Sequence, residues 1–395
     1  MTPKRFLDAA ATVDSALDRE FLLATLIELA RVPNAVEPGF DTLMEPDHPK
    51  LQRYVQEVVR PRLKALGAGE LIDAPRNNLV LRAGAGTLDR SLLIQSYTVS
   101  QHHNLMQRPF EPALRDGRVQ AQGVSQTKAH QAVMLTVLKL LRDIGAELRG
   151  RLYWALNNEG RSSHACTEAI LGVLDAPPQF AILQTGERMR VSLGNRGRLD
   201  VAVEVKGALA HASTPEAGTS AITGAVEAIR RVEAMRWDGE HPLLGGRHAV
   251  VYKVDFEPKL PHTLPATARF TVDRRMLPGD DPSHAVHEIL TAIGDIAPCS
   301  VTARPDVMML PSLVDPSDPG LRTLQAATAA VRGEPAPEIY RRGTFDAGGF
   351  AQAGIPAVMF GSGGDGDWPA GDDFVAVSDV EDEARILATL ILAEL

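Results

Sequence analysis

Apolar residues along this chain follow two kinds of spacing, which alternate from one segment to the next. Repeats at intervals of three and four residues predict amphipathic helices, and short unbroken apolar runs predict strands buried in a sheet. Helices are predicted over residues 15–30, 48–66, 129–144, 163–174, 220–235, 283–293 and 378–395. Buried strands are predicted over residues 78–82, 92–95, 152–156, 180–183 and 355–360. This alternation of strands and helices is typical of a layered α/β domain.

Turn and capping residues mark the ends of several predicted helices. Pro33 is expected to end the first helix, and Gly145 is expected to cap helix 129–144. Ser378 and Glu381 have the spacing of a capping box, in which two side chains satisfy free amide groups at a helix start. The last helix is therefore predicted to begin at Ser378.

The spacing of apolar residues changes between residues 198 and 304. Apolar and polar residues alternate there, as in strands with one buried face, at Val201, Val203 and Val205 and again at Ala268, Phe270 and Val272. With the two predicted helices of this region, these strands indicate a small α+β domain of βαββαβ type. We therefore predict an α/β domain formed by residues 1–197 and 305–395, and an inserted α+β domain over 198–304 that forms the dimer interface.

Composition excludes several functional classes. Of the 395 residues, 44% are hydrophobic and 23% are charged, which is ordinary for a globular protein. The formal net charge of -9, without a basic stripe, argues against a nucleic-acid partner. Two cysteines, Cys166 and Cys299, are too few for a disulfide framework. We see neither a signal peptide nor a membrane-spanning apolar segment, and so expect a cytoplasmic protein with no membrane partner.

Four short motifs occur in an order that resembles one enzyme family. They are Arg108–Pro112 followed by Arg115–Arg118, Gly207–Ser213, Asp273–Arg275 and Gly343–Ala347. The family is that of the co-catalytic zinc amidohydrolases, which include aminoacylase, acetylornithine deacetylase, succinyl-diaminopimelate desuccinylase and the glutamate carboxypeptidases. The resemblance implies a zinc-exopeptidase-like layered α/β domain with an inserted ferredoxin-like lid and dimerisation domain. It also implies a small-molecule substrate, a homodimer and zinc as the family cofactor.

The positions that would hold zinc carry neutral residues in this chain. In the family, histidines and carboxylates hold two zinc ions, and a separate glutamate is the general base. The corresponding positions here carry Ser96, Thr98, Gln126, Asn158 and Thr185, and the final histidine position falls near Trp368 and Pro369. Of the family's paired glutamates, Glu159 remains. One carboxylate among amides and hydroxyls would bind zinc poorly, so we predict no metal cofactor and a polar substrate pocket at these positions.

The remaining candidates for chemistry lie at and beyond that pocket. Glu159, partly desolvated among neutral groups, is a candidate general acid or base. The resemblance implies that His211 reaches the active site of the other subunit and stabilises an oxyanion, although a strand-end histidine without a catalytic role is the alternative. Arg275 could bind a substrate carboxylate bidentately, with His262 beside it, or it could form a salt bridge to Asp273.

Other candidate residues carry less specific signals. Thr344 and Asp346 belong to the late glycine-rich motif, which lines the substrate cavity in the family. His102, His103, His130 and His164 could act as substitute metal ligands, but polar-loop, surface or helix-cap roles are favoured for them. Cys166 is favoured as a small buried helix residue over a nucleophile, because a nucleophilic thiol needs a lowered pKa and a cleft.

Three functional hypotheses follow from these observations. The first is an enzyme that acts without zinc on a small amide, peptide-like or carboxylate-bearing substrate, by cyclisation, acyl transfer, elimination or hydrolysis. The second is a non-catalytic homologue that binds a ligand or a partner. The third is a conventional zinc amidohydrolase whose ligands the alignment of motifs does not identify.

Overall fold

The computed structural model describes residues 2–35, 44–99, 106–159, 163–364 and 372–395. Contacts divide the chain into two compact units, Met1–Gly194 with Leu313–Ile339 and Gly349–Leu395, and Asn195–Ser312 with Tyr340–Gly348. The sequence analysis predicts an inserted domain over 198–304, whereas the second unit runs from Asn195 to Ser312 and also includes Tyr340–Gly348.

Eleven α-helices are defined within the described residues. In chain order they are α1 (Lys4–Ala16), α2 (Arg19–Ala30), α3 (Pro49–Arg53), α4 (Arg60–Leu66), α5 (Ala129–Asp143), α6 (Ala165–Leu171), α7 (Ala221–Glu233), α8 (Pro282–Ile293), α9 (Pro319–Arg332), α10 (Ala347–Gln352) and α11 (Val377–Glu394). Tyr54–Val59 and Val124–Lys128 are wound as π-helical turns, directly before α4 and α5. Among the described helices, none has the length and apolar character needed to cross a bilayer.

Twenty strands are defined within the described residues. They are β1 (Glu70–Ala74), β2 (Asn78–Ala83), β3 (Ser91–Tyr97), β4 (Ala113–Arg115), β5 (Arg118–Gln120), β6 (Arg151–Asn157), β7 (Phe180–Gln184), β8 (Val191–Asn195), β9 (Gly197–Lys206), β10 (Ala210–His211), β11 (Glu240–His241), β12 (Gly245–Gly246), β13 (His248–Glu257), β14 (Thr263–Leu264), β15 (Thr267–Met276), β16 (Ser300–Met309), β17 (Ser312–Leu313), β18 (Glu338–Arg341), β19 (Ala357–Phe360) and β20 (Phe374–Ala376).

The first unit is built on a mixed sheet with the strand order β1-β2-β6-β3-β7-β19-β8. Four central strands, β6, β3, β7 and β19, run parallel to their neighbours in this series. Every residue of β3 and β7 is buried, as expected for strands covered on both faces. Helix α5 is buried along most of its length and packs against α2 and α11. This layered arrangement confirms the α/β domain predicted from the apolar spacing.

The second unit contains a four-stranded antiparallel sheet with the order β13-β15-β9-β16. Its chain order is β9, α7, β13, β15, α8, β16, which is the βαββαβ arrangement that the alternation predicted. One face of the sheet packs on α7 and α8. The core between them includes Val203, Val205, Phe270 and Ile289. The inserted ferredoxin-like domain is thereby confirmed.

Three local features of the structure differ from the sequence predictions or were not predicted. The segment predicted as one helix from Ser15 belongs to two helices, because the chain is extended at Leu17 and Asp18 caps α2 through the amide of Phe21. Helix α9 was not predicted. The capping box is wrong: α11 already begins at Val377, and its N-cap residue makes no side-chain hydrogen bond.

Candidate functional site

The carboxyl ends of the central parallel strands meet at one edge of the first unit's sheet. Thr98 follows β3, Asn158 and Glu159 follow β6, Thr185 follows β7, and Ser362 lies just after β19. Ligands bind outside this edge in open α/β sheets. The structure thus places the sequence-predicted polar positions at the place where the fold would hold a ligand.

Thr98 and Asn158 are bound to each other. The Thr98 hydroxyl donates to the side-chain oxygen of Asn158, and the Asn158 side-chain amide donates to the carbonyl of Asn77 at 2.5 Å. The backbone amide of Asn158 donates to Oδ1 of Asn78 at 3.1 Å. Both predicted substrate-binding side chains therefore already have protein partners, and both are buried.

Ser96 begins a second chain of hydrogen bonds beneath the edge. Its hydroxyl accepts from the indole of Trp154 at 2.8 Å and donates to Oε1 of Gln184 at 2.5 Å. The Gln184 amide in turn donates to Oε1 of Glu383 at 2.7 Å. Ser96 lies inside the sheet with no exposed surface. Its hydroxyl therefore links Trp154 to Gln184 within the protein.

Glu383 is the centre of that buried network. His130 Nδ1 lies 3.0 Å from Glu383 Oε1, and both the amide and the hydroxyl of Ser362 donate to Oε2, at 2.8 and 2.6 Å. Burial acts to raise the pKa of Glu383, but His130 and Ser362 outweigh it and hold the pKa below its ordinary value. The surface role favoured for His130 is wrong, because the residue is fully buried.

Thr185 and Gln126 complete the set of neutral residues at the positions predicted to correspond to the family's ligands. The Thr185 hydroxyl donates to Oε1 of Glu187 at 3.1 Å, and both residues are buried. Gln126 is half-buried on the helical turn that precedes α5. Of the five predicted substrate-binding residues of this edge, Gln126 is the one whose side chain is partly open to solvent.

Glu159 is held by groups other than those predicted. Its carboxylate accepts from the Ser163 hydroxyl and from the backbone amide of Cys166 at 2.8 Å, and Arg76 Nη2 lies 3.5 Å away. The expected neighbours were Ser96, Gln126, Asn158 and Thr185. The structure instead turns Glu159 towards the start of α6 and the β1–β2 turn.

The turn that carries Arg76 borders a cleft in the first unit. Arg76 and Asn77 both have left-handed backbone conformations, with φ of 64° and 59°. Glu45, Asp47, Gln56, Arg76 and Asn77 line the cleft. An unusual backbone conformation for two successive non-glycine residues is often found at functional sites, and here it positions the guanidinium next to Glu159.

The described donors at this edge do not fit a pair of zinc ions. Zinc prefers imidazole nitrogen, thiolate and carboxylate ligands, whereas the positions predicted to correspond to the family's ligands carry hydroxyls and amides, and Glu159 is turned towards Ser163, Cys166 and Arg76. Within the described residues no group of three or more histidines, cysteines or acidic residues is arranged to hold a metal. His102, His103, Trp368 and Pro369 lie outside the described residues.

Cys166 and His164, near the same edge, are both buried. Burial raises the pKa of the Cys166 thiol to about 11, which leaves it a poor nucleophile and agrees with the favoured interpretation as a buried helix residue. His164 occupies the N-cap position of α6, but it is buried and its side chain forms no capping hydrogen bond. Neither residue lies in a group of the kind that could hold a metal among the described residues.

Lys128 was missed by the sequence analysis. Its ammonium group is buried and donates to the carbonyls of Leu29 and Val32, at 2.6 and 2.5 Å, near the end of α2. Burial lowers the pKa of Lys128 to about 7. The sequence does not predict a buried lysine here, because a lysine directly before an apolar helix is typical of an exposed residue at a helix start.

Arg275 and Thr344 are brought together in the second unit. Arg275 Nη1 donates to the Thr344 hydroxyl at 2.8 Å. The same guanidinium forms a two-point contact with Asp273, with Nε 2.7 Å from Oδ1 and Nη2 2.8 Å from Oδ2. The alternative salt bridge to Asp273 is therefore present. Asp346, from the same late motif as Thr344, is fully buried.

His211 and His262 also lie together in the second unit. The two ring centroids are 6.3 Å apart, on the paired strand β10 and at the residue before β14. His211 Nδ1 lies 2.7 Å from the Ser213 hydroxyl, and both histidines are exposed. An exposed imidazole pair is available for a ligand or for a second subunit.

Comparison with known proteins adds a family context to this geometry. Residues 193–299 match the model of the peptidase dimerisation domain of the M20 group. YgeY, an uncharacterized protein of Escherichia coli (strain K12), is 24% identical over 183 residues, which cover 46% of this chain and 45% of YgeY. The succinyl-diaminopimelate desuccinylase of Nitratiruptor sp. is 22% identical over 263 residues, covering 64% of this chain and 70% of that enzyme. The first of these matches spans about half of its relative's length.

Solved structures share the fold over nearly the whole chain. A tripeptidase from Staphylococcus aureus superposes with a TM-score of 0.75 at 18% identity, covering 96% of this chain and all 100% of the other. Human carnosine dipeptidase 1 superposes with a TM-score of 0.74 at 13% identity, covering 100% and 99% of the two chains. Identities this low establish a common fold, while the chemistry has to be argued from the residues of the site.

Proposed function

We propose that this chain, whose inserted domain matches the M20 peptidase dimerisation domain, acts without a zinc pair on a small amide, peptide-like or carboxylate-bearing molecule. The observation that carries the proposal is the set of neutral, hydrogen-bonded side chains at the positions predicted to correspond to the family's ligands, with Glu159 following β6 at the same edge. A homodimer and a cytoplasmic location remain predictions.

In this proposal Glu159 moves the proton. Its partners include Arg76, Ser163 and the amide of Cys166, which are donors, so the carboxylate acts as their acceptor, which suits a base. A positioned carboxylate can take a proton from an attacking group and return it to a leaving nitrogen. Hydrolysis of an unactivated amide usually requires a metal-bound hydroxide as the nucleophile. Cyclisation, acyl transfer or elimination on an activated substrate can proceed with a carboxylate base alone, and these reactions are therefore favoured for Glu159.

A non-catalytic binding protein is the second candidate. It is favoured by the way Glu159 and Arg275 are occupied, Glu159 by donors of the chain and Arg275 by Asp273. Catalysis under the first proposal requires Glu159 to exchange one of these contacts for the substrate. Binding without turnover requires no such exchange.

The deciding experiment combines metal analysis with two matched variants. The purified protein is assayed against N-acyl amino acids and dipeptides, before and after chelation, together with Glu159→Gln and Glu168→Gln. Glu168 is an exposed residue of α6, the helix whose Cys166 amide donates to Glu159, and Glu168→Gln controls for the loss of one negative charge nearby. The proposal expects turnover that survives chelation, is unchanged in Glu168→Gln and falls by about a hundredfold or more in Glu159→Gln.

Other results would identify the alternatives. Stoichiometric zinc that restores activity after chelation would show a conventional zinc amidohydrolase and overturn the proposal. A compound that binds and is recovered unchanged, with the same affinity in Glu159→Gln, would favour the binding protein.

A further inference from the structure

A cavity of about 400 Å³ lies on one face of the small sheet formed by β4, β5 and β20 in the first unit. Arg115 lies opposite Arg118 in the β4–β5 hairpin. Gln120 lies opposite Phe374 across β5 and β20. Alternate residues of a strand share a face, so these four side chains lie on the same side of the sheet, while Val119 is buried on the other side. The volume is within the range of about 300–1,000 Å³ that small-molecule sites occupy.

Two arginines on this face place like charges directly opposite each other. Such a pair destabilises adjacent strands. A two-residue turn, with φ of 49° at Asp116 and 72° at Gly117, holds Arg115 and Arg118 in this register. The Arg118 guanidinium also lies 4.7 Å from the centre of the Phe374 ring. Neither arginine forms an ion pair within the described ranges, so both guanidinium groups can donate hydrogen bonds to a ligand.

Two aspartates line the same cavity. Asp116 belongs to the hairpin turn, and Asp372 directly precedes the residue before β20. The Asp372 carboxylate accepts a hydrogen bond from the side-chain amide of Gln120, which holds it beside the sheet face. Among the residues that the structure describes, neither aspartate forms an ion pair. The cavity therefore presents two positive and two negative groups that are not paired with each other.

We propose that this cavity binds an α-amino acid in its zwitterionic form. The carboxylate is bound by Arg115 and Arg118, since a guanidinium donates two parallel hydrogen bonds to a pair of oxygens. The ammonium group is bound by Asp372, and the partly buried ring of Phe374 contacts an apolar side chain. A simple anion would meet the aspartates and a simple cation would meet the arginines, whereas a zwitterion supplies an opposite charge to both.

This proposal goes beyond the proposed function, because it concerns equilibrium binding and uses none of the residues assigned to proton transfer. The test titrates the full chain by calorimetry with L-leucine, 4-methylpentanoate and 3-methylbutylamine. The second compound is leucine without its ammonium group, and the third is leucine without its carboxylate. Leucine is expected to bind saturably, and each analogue is expected to bind more weakly by about tenfold or more, because each loses one charged contact.

Three variants show where leucine binds. Arg118→Gln and Asp372→Asn are each expected to weaken leucine binding by about tenfold or more, while their circular dichroism matches that of the wild type. Arg322→Gln removes the same charge from an exposed arginine of α9 that forms no ion pair in the described part of the chain, and should leave binding unchanged. In Asp372→Asn the preference for leucine over 4-methylpentanoate should also disappear, because the ammonium group has lost its partner.

Three results would overturn the proposal. One is a wild-type protein that shows no saturable binding of leucine. Another is a wild-type protein that binds leucine no more tightly than 4-methylpentanoate, which would show a simple carboxylate site. The third is leucine binding that is as tight in Arg118→Gln and Asp372→Asn as in Arg322→Gln, which would place the amino acid elsewhere on the molecule.

Discussion

At the carboxyl edge of the sheet, the sequence gives the identity of each polar side chain, but only the structure gives its hydrogen-bond partners. The sequence indicated neutral residues at the family's ligand positions. The structure adds that Thr98, Asn158, Ser96 and Thr185 are all buried and bonded to other protein groups. Buried polar groups are normally satisfied in this way. These side chains are therefore engaged within the protein, which leaves Gln126, half-buried at the same edge, more open to contact with a substrate.

The buried Lys128 gives a prediction at the same scale. Burial lowers its pKa from 10.5 to about 7. Between these two pH values the unfolded chain binds the proton while the folded protein has released it, so the free energy of unfolding rises with pH across this window. The rise is on the order of a few kcal/mol. Lys128→Met is expected to show no such rise in the free energy of unfolding, as measured by urea unfolding at about pH 7 and about pH 9.

Lys139→Met is the matched control for this measurement. Lys139 lies on α5, and hydrogen bonds from its ammonium to Asp143 and Asp18 raise its pKa above 10.5. The stability it contributes is present below that value and is lost only at higher pH. The control should keep the wild-type slope between about pH 7 and about pH 9. An unchanged slope in Lys128→Met would contradict the assignment.

At the scale of elements, helix α7 shows packing prevailing over helix propensity. Gly224 lies in the interior of α7, where glycine is less favourable than alanine by about 1 kcal/mol. A Cβ there would lie 2.8 Å from Cys299 Sγ and 3.0 Å from Val205 Cγ1. The close approach of α7 to β9 therefore explains a glycine that local sequence rules disfavour.

Gly224→Ala is expected to destabilise the protein despite its higher helix propensity. Overpacking of a closely packed interface costs about 1–3 kcal/mol, which exceeds the gain in propensity. Thr223→Ala, at the neighbouring exposed position, changes propensity without this contact and should stay within about 0.5 kcal/mol of the wild type. Urea unfolding of both variants makes the comparison. A Gly224→Ala protein more stable than wild type would show that the two layers can separate freely.

The accuracy of the predicted elements follows the strength of their local patterns. The runs at β3, β6 and β7 and the apolar face of α5 were found because a buried strand or helix must repeat apolar residues at a fixed spacing. Helix α9 was missed although Asp318 caps it and Pro319 occupies its first turn. These two residues were a usable start signal. Its buried residues Leu321, Leu324 and Ala327 also recur at helical spacing, so this helix was predictable from the local sequence.

At the scale of the whole molecule, an apolar surface on the second unit points to a second copy of the chain. Val226 on α7 and Val254 on β13 are 60% and 63% exposed, and Ile222 and Phe256 are also exposed on these two packed elements. Strand β13 is at the end of its sheet, and one of its sides has no strand partner among the described residues. An open strand beside apolar residues is a surface suited to pairing.

We predict a homodimer through this surface, in agreement with the dimerisation-domain match of the same unit. Val226→Glu is expected to shift the protein from dimer to monomer in sedimentation velocity, because it places a charge within the apolar contact. Leu7→Glu alters an exposed leucine of α1 in the first unit and should leave the dimer intact. A wild-type monomer at all concentrations, or dimers in both variants, would contradict the prediction.

The sequence by itself determined the longer buried strands and most of the longer helices, the fold class, the inserted domain and the placement of polar residues after the central strands. These features depend on spacing along the chain, which is visible without the structure. The sequence did not determine which side chains contact each other across the fold. Glu383 and His130 meet across 253 residues, and Glu159 turns to Arg76 across 83. Such contacts depend on how layers pack and on which donors are left unsatisfied, so tertiary structure alone decided them.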